Sequence, residues 1–349
     1  MVVATKEKRI AMPTIEIAVE IGTSNTSIFV SGNGIALREP TIAAYVGGGR
    51  PKKLICAGLE AYAMLGKTPE RTQLVTPVTD GVISNPDVCA AILKEFFKKV
   101  LPDAYFPPRV KAIVGIPTGL SVAERRMYED VVFDASPRVK EVTLVENIIL
   151  SAVGIDLPIA SAAGGLVANL GGGTTEIAAL SFSGVISGCG LNIGGDAMDA
   201  AILDGIAGKH NLKVGLATAR KLKEEVASLY ENDMSARPVN GLDLSTRGVG
   251  SALITAADLY EVLAPYYARV GAAVESILNM CPPDVAGDIS RKGIYLVGGT
   301  SRIAGAAQFL AQQIGIAVHV PEDPEYAAIL GAGKLLSDKK LLEAIFEHK

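Results

Sequence analysis

A short stretch, Leu166–Leu180, places the tightest limit on what this chain can fold into. It reads Leu-Val-Ala-Asn-Leu-Gly-Gly-Gly-Thr-Thr-Glu-Ile-Ala-Ala-Leu. Apolar runs of strand length, Leu166–Ala168 and Ile177–Leu180, flank Gly171, Gly172, Gly173, Thr174 and Thr175, a pattern that predicts a β-hairpin. Three consecutive glycines permit positive φ and close approach of the backbone to a ligand. Their N–H groups, with the two hydroxyls, suit phosphate oxygens. Asn169 ends the first strand and points at whatever the turn holds. Taken alone, a glycine-rich hairpin that holds nothing would read the same.

A second copy narrows the choice. Glu20-Ile21-Gly22-Thr23-Ser24-Asn25-Thr26-Ser27-Ile28 aligns without gaps on Asn169-Leu170-Gly171-Gly172-Gly173-Thr174-Thr175-Glu176-Ile177. The separation is too long for a solenoid repeat. It predicts two related domains, each giving one hairpin to a shared cleft, where the two turns clamp one polyphosphate.

At 349 residues the chain is long enough for two ordinary domains. With 49% hydrophobic and 20% charged residues it is core-forming, not disordered. A net charge of −4 argues against nucleic acid and against a polybasic membrane patch. Cys56, Cys89, Cys189 and Cys281 lack metal-ligand spacing and fit reduced thiols in a cytosol. His210, His319 and His348 are too scattered for a His-centred metal site. Met1–Met12 carries Lys6, Lys8 and Arg9 but no apolar core, so it reads as a tail or a weak amphipathic anchor, not a signal peptide. No run approaches the roughly 18 apolar residues of a membrane span.

Along the chain, Ile15–Val30 reads as two strands, and Gly32-Asn33-Gly34 as a tight turn into a third. Residues 40–76, with Gly47-Gly48-Gly49 and Pro51-Lys52-Lys53, read as a small insertion. Asn85-Pro86 starts a helix in which Val88, Ile92, Phe96 and Val100 recur. Tyr105 and Phe106 sit between prolines, either folded onto the core or exposed as an apolar tip for a membrane or a partner groove. Gly194-Gly195-Asp196 opens a helix through Ala207. Ala217–Tyr230 reads as a charged helix containing Lys221, Lys223, Glu224 and Glu225, which by itself is a solvated face. Residues 237–250 read as two short strands, and Ala257–Met280 as a long helix. After the buried strand Ile294–Val297, Gly298-Gly299-Thr300-Ser301-Arg302 is a third place where backbone can meet a ligand.

Together these residues resemble the actin and heat-shock-chaperone ATPase superfamily and, within it, the bacterial actin (MreB) family. Glu20–Thr26 resembles its first phosphate motif, Asn169–Glu176 the second and Gly293–Ile303 the adenosine motif. Val145–Gly154 and Glu325–Lys334 resemble the two connecting helices. Gly66-Lys67-Thr68-Pro69, Asp80-Gly81-Val82-Ile83, Glu124-Arg125-Arg126, Ile193-Gly194-Gly195-Asp196 and Cys281-Pro282-Pro283 resemble the bacterial actins in particular.

The resemblance implies an α/β, two-domain actin-like ATPase fold of duplicated ribonuclease-H-like domains. Domain I would be residues 13–155 with 322–349, and domain II residues 156–321, with small subdomains at about 40–76 and 191–250. It implies ATP or ADP with Mg²⁺ in the cleft, bound by Gly22–Thr26, Gly171–Thr175, Gly195, Asp196, Gly298, Gly299, Thr300 and Arg302. On the charged helix, Lys221 or Lys223 and Glu225 would contact the ribose. It implies homopolymeric filaments and a role in cell shape. The protein would be cytoplasmic and at the inner face of the cytoplasmic membrane, with membrane-bound morphogenetic partners. Tyr105 and Phe106 fall where the family has its membrane-inserting loop.

The departures from the family concentrate on the catalytic acids. Glu20 and Asn169 stand where each phosphate motif begins with Asp, and Glu146-Asn147-Ile148 stands for Glu-Glu-Pro. Asn169 can reach Mg²⁺ through a bound water but adds no charge, and Asn147 cannot take a proton. Phosphoryl transfer depends on placing water, metal and charge. By analogy with a lost oxyanion donor, each loss could cost about 10²–10³ in rate, not additively. Slow or absent hydrolysis is therefore expected, against the view that Glu20 and Glu146 cover the missing groups. Two other readings of the fold stay open: a nucleotide-holding adaptor that does not polymerise, and a small-molecule kinase, for which no general base stands out.

Overall fold

The computed structural model describes residues 13–47, 53–105 and 107–347. The Met1–Met12 tail, part of the glycine and proline run at 48–52, Phe106 and His348 lie outside the described residues. The first half opens with β1 (Thr14–Ile21), β2 (Asn25–Val30) and β3 (Gly34–Pro40), an antiparallel meander. A small sheet follows, made of β4 (Ala43–Val46), β5 (Lys53–Ala57) and β6 (Thr72–Val75), with α1 (Leu59–Tyr62) beside it. The two-residue strands β7 (Val78–Thr79) and β8 (Val82–Ile83) turn at Asp80-Gly81, both with positive φ. Then come α2 (Pro86–Val100), β9 (Arg109–Ile116), α3 (Val122–Ala135) and β10 (Val139–Glu146), and α4 (Asn147–Gly154) leads into the second half.

There β11 (Gly165–Leu170), β12 (Thr175–Ser181) and β13 (Gly184–Leu191) repeat the meander. After it run α5 (Gly195–His210), β14 (Leu212–Lys213), α6 (Leu216–Glu225), β15 (Ala236–Asp243) and β16 (Val249–Thr255). The half closes with α7 (Ala256–Met280), α8 (Pro283–Lys292), β17 (Ile294–Val297), α9 (Ala306–Ile314) and β18 (Val318–His319). α10 (Ala327–Ser337) returns to pack against β1 and β2, and α11 (Lys339–Glu347) follows it.

The duplication read from nine residues extends to whole sheets. One runs β3-β2-β1-β9-β10 and the other β13-β12-β11-β17-β18. In each, the meander is antiparallel and the last two strands run parallel to its first strand. Each sheet has its own apolar core, and a third apolar cluster joins the halves through α4 and α10. Local chemistry starts the main helices. The Asn85 side chain accepts the Val88 N–H at 3.2 Å with Pro86 in the first turn, and capping boxes at Ser121/Glu124 and Thr255/Asp258 open α3 and α7.

Three elements depart from the sequence expectation. The charged helix ends at Glu225, not Tyr230. Val226, Ala227 and Leu229 are buried, and the Leu229 N–H donates to the Ala304 carbonyl at 2.7 Å, so tertiary burial overrides helix continuation. α5 runs on to His210, stopped by Asn211 in the left-handed region. The strands expected within 237–250 are longer, because the β15–β16 ladder pairs Ala236 with Thr255 and extends to Leu242 with Val249.

α4 and α10 cross at glycines. A Cβ on Gly154 would fall on the Ala327 carbonyl, and one on Gly331 on the Leu150 carbonyl. Lys334 Nζ closes the crossing, donating to the Gly154 carbonyl at 2.8 Å and pairing with Asp156 at 2.6 Å. Backbone cannot retreat as a flexible side chain can. Gly331→Ala should therefore lower stability by about 1–3 kcal/mol or more, seen as a melting temperature several degrees below wild type by circular dichroism. An unchanged melt would show that the helices do not cross this closely.

Candidate functional site

The two glycine turns are built alike. The Gly22 N–H donates to the Asn25 carbonyl at 3.0 Å, and the Gly171 N–H to the Thr174 carbonyl at 2.9 Å. The ladders match too: Glu20 faces Ser27 and Ile21 faces Thr26, as Asn169 faces Glu176 and Leu170 faces Thr175. The turns meet across the interdomain cleft. A Cβ on Gly172 would collide with the Ser24 side chain, and one on Gly173 with Thr23. Among the described residues, none accepts a hydrogen bond from the amides of Thr23, Ser24, Gly172 or Gly173. Beside them opens a cavity of about 860 Å³. Unbonded amides from two turns around one space form an anion cradle.

The cavity is lined by Glu20, Gly22, Thr23, Ser24, Asn25, Asn147, Asn169, Gly171, Gly172, Gly173 and Thr174. Thr26 and Thr175, matched in the repeat, do not line it. Their hydroxyls bond inward, Thr26 with Thr41 at 2.9 Å and Thr175 to the Ile193 carbonyl at 2.7 Å. Alternation along a strand explains this, since the residue after the turn points to the opposite face from Ser27 and Glu176. Glu146 is also outside the lining; it is buried and takes the Arg125 Nη2 bond at 2.9 Å.

Glu176, which the sequence reading left out of the site, lies on the cleft face. Its Oε1 accepts the Thr118 N–H at 2.8 Å, and its Oε2 is buried without a partner. Burial pushes its carboxyl up to about 7; the Thr118 bond opposes this, while the charges of Glu146 and Glu20 add to it. Burial likewise lifts Glu20 to about 7, against the pull of Arg38. The Asn147 Oδ1 and Thr118 Oγ1 are also buried and unpartnered. Asn147 sits where any residue but glycine at 115 would collide with its Oδ1. Orphan oxygens beside a cavity are acceptors that a ligand or its water would satisfy.

One wall comes from α5 and α6. The Gly195 and Asp196 amides donate to the Gly171 and Gly172 carbonyls at 3.0 and 2.8 Å, so they hold the turn. Lys223 Nζ reaches the Gly195 carbonyl at 2.7 Å and Asp199 at 2.6 Å. Arg220 pairs with Asp196 and Asp199 at 3.0 and 2.9 Å and lies over the Tyr62 ring, 5.7 Å from its centroid. Lys223 and Glu225 line the cavity, and Lys221 does not; it faces solvent and pairs with Glu225 at 3.7 Å. Gly298, Gly299, Thr300 and Arg302 line the far side. Thr300 is tied to the second turn through the Leu170 carbonyl at 3.0 Å, and Arg302 to Glu325 at 2.6 Å. Tyr105 is 93% exposed and lies outside the cleft.

The Mg²⁺ that the resemblance implies would rely on Glu20 and, through water, Asn169. One carboxylate and one amide are a thin donor set for a hard dication. Among the described residues no three His, Cys, Asp or Glu side chains form a metal-holding group. The residues present do not fit an ion held by the protein itself.

Duplicated sheets with a phosphate-type cradle between them define an actin-like, two-domain nucleotide-cleft fold. The MreB/Mbl protein family model matches residues 14–344. The chain is 34% identical over 324 residues to the cell shape-determining protein MreB of Escherichia coli K12, covering 92% of this chain and 93% of that one. It is 28% identical to the cell shape-determining protein Mbl of Bacillus subtilis over 93% of this chain and 96% of the relative. The structure of MreB 5 of Spiroplasma citri bound to AMPPNP superimposes with a TM-score of 0.88 at 26% identity, over 95% of this chain and 98% of that one. The MamK double helical filament shares the fold, at a TM-score of 0.78 and 18% identity over 93% and 99% of the two chains. This chain belongs to the MreB/Mbl family of bacterial actins.

The raised carboxyls have a consequence for stability. A carboxyl at about 7 in the fold and near 4.5 when unfolded holds more protons in the native state between those values. Its contribution is therefore complete below about 4.5 and is lost as pH rises to 7. Glu176→Gln removes the charge and should melt above wild type at pH 8, by on the order of 1–3 kcal/mol. The gap should close by pH 5. Denaturant melts at the two pH values check it; a gap independent of pH would refute the buried-charge account.

Proposed function

We propose that this protein binds ATP or ADP in the cleft and polymerises in a nucleotide-dependent way, as a cytoskeletal filament with slow or absent hydrolysis. The observation that carries the reading is the pair of abutting glycine turns with unbonded amides beside an 860 Å³ cavity. The Spiroplasma relatives bound to AMPPNP and to ADP support it. In this reading Thr23, Ser24, Gly172, Gly173 and Thr174 take the phosphates, while Lys223, Glu225, Gly299 and Arg302 border the nucleoside. Glu20 and Asn169 meet a metal only through water on the phosphates. Thr26 and Thr175 act from behind by holding the strand ends.

In this reading the two domains are residues 13–155 with 322–349, and 156–321. Self-association is the first partner expected. The exposed Tyr105 supports placement at the cytoplasmic face of the membrane beside membrane-bound morphogenetic proteins. No helix among the described residues is long and apolar enough to cross it.

Slow turnover rests on Asn147 and Asn169, which offer amides where proton acceptance and metal charge would be needed. Neither substitution touches the backbone that grips the phosphates. Phosphate release measured alongside pelleting, with ATP and with a non-hydrolysable analogue, tests the reading. Equal pelleting with negligible release is expected, and Asn147→Glu should raise release by about 10²-fold. A chain that stays monomeric at high concentration with nucleotide bound would favour an adaptor, and phosphoryl transfer to a small acceptor would favour a kinase.

A further inference from the structure

Four basic side chains reach the cavity: Arg38, Arg220, Lys223 and Arg302. Three are neutralised by carboxylates. Arg220 and Lys223 share Asp199, and Arg302 pairs with Asp323 and Glu325. Arg38 differs. Its guanidinium lies over the Tyr326 ring, 4.7 Å from the centroid, and among the described residues no carboxylate stands at ion-pair distance from it.

The strand register fixes where this charge lies. Glu20 faces Ser27 across β1 and β2, and Ser27 faces Arg38 across β2 and β3. The three side chains form one row on the face that opens to the cavity, two residues below the first glycine turn. In the other half the same row reads Asn169, Glu176, Gly190. Nothing lies within 4 Å of where a Cβ on Gly190 would be. The duplicated row thus carries an arginine in one half and no side chain in the other.

A polyphosphate brings several negative charges into a floor that already holds Glu20 and Glu176. The donor set that would hold a divalent ion there is thin. A guanidinium is the side chain best matched to phosphate, offering paired N–H donors at fixed spacing. Its place over the Tyr326 ring, 4.7 Å from the centroid, restricts the side chain and reduces the entropy lost on binding.

We infer that Arg38 is a phosphate-binding residue that supplies, from within the chain, part of the positive charge a divalent cation brings to other nucleotides' sites, so that nucleotide binding here depends only weakly on Mg²⁺. This rests on the nucleotide-binding reading above and adds a metal dependence to it.

Calorimetric titration of the full chain with ATP, once in excess MgCl₂ and once in EDTA, tests it. Wild type should lose less than about tenfold in affinity in EDTA. Arg38→Gln should lose about 10–100-fold in EDTA, the worth of one charged hydrogen-bonding group. In MgCl₂ its loss should be smaller, and Arg38→Lys, which keeps the charge but not the paired donors, should recover only part of the binding in EDTA. A wild-type loss beyond about tenfold in EDTA, or equal losses for wild type and Arg38→Gln, overturns the inference while leaving nucleotide binding intact. No wild-type binding in either buffer overturns the nucleotide reading and this inference with it. Melts of the nucleotide-free variants separate lost binding from lost folding; should Arg38→Gln melt early, the wild-type titrations and Arg38→Lys decide.

Discussion

The structure depends on a steric condition at one point: two turns meet where the second can carry no side chain. Ser24 occupies the space a Cβ on Gly172 would need, and Thr23 the space above Gly173. Each turn is closed by its own N–H to carbonyl bond, so its amides are oriented before any ligand arrives. The carbonyls of Gly171 and Gly172 are held by the first amides of α5, and Leu170 by Thr300. The adenosine-type loop, the α5 start and the second turn are therefore one hydrogen-bonded unit. Preorganisation of this kind lowers the cost of ordering on binding.

A second close approach, at Gly154 and Gly331, sets how the halves are joined. α4 follows directly from Glu146 at the end of β10, and α10 packs on β1 and β2. Movement at this crossing would be felt at both ends of the cleft floor, because Asn147 begins α4 and Glu20 ends β1. Close-packed backbone transmits displacement with little loss.

Much of this was legible in the sequence, for identifiable reasons. The nine-residue repeat implied two related sheets, because the strand–glycine turn–strand pattern is local and each copy is read within one stretch. The Asn85-Pro86 start of α2 was legible for the same reason. Side-chain parity was harder. Thr26 and Thr175 match in the repeat and face away from the cavity, whereas Ser27 and Glu176, one residue on, face it. A carboxylate inside an otherwise apolar, fully buried strand was the signal available for Glu176. Lys221 and Lys223 are two positions apart on a helix, roughly 200° around its axis, so only one could reach the cleft. Arg38, Asp199 and Arg220 carried no motif. Their placement comes from register and from packing between segments distant in sequence, and a single sequence does not encode those in any short pattern.

In the proposed reading, binding and hydrolysis separate because they rest on different parts of the cleft. Phosphate contact lies in backbone amides whose geometry is set by glycine and by hydrogen bonds within the turns. The charge that catalysis would need belongs to side chains at strand and helix ends, where this chain keeps Glu20 and Glu176 but has neutral amides at Asn147 and Asn169. Replacing a carboxylate by an amide at 147 or 169 leaves every turn bond in place, so selection can alter turnover without dismantling the cradle. The acids that remain are crowded and buried, with carboxyls raised to about 7 at Glu20 and Glu176. Adding a further carboxylate to that floor would raise the cost of charging it, whereas an amide does not. The amides at 147 and 169 therefore add nothing to the electrostatic load that burial already imposes on that floor.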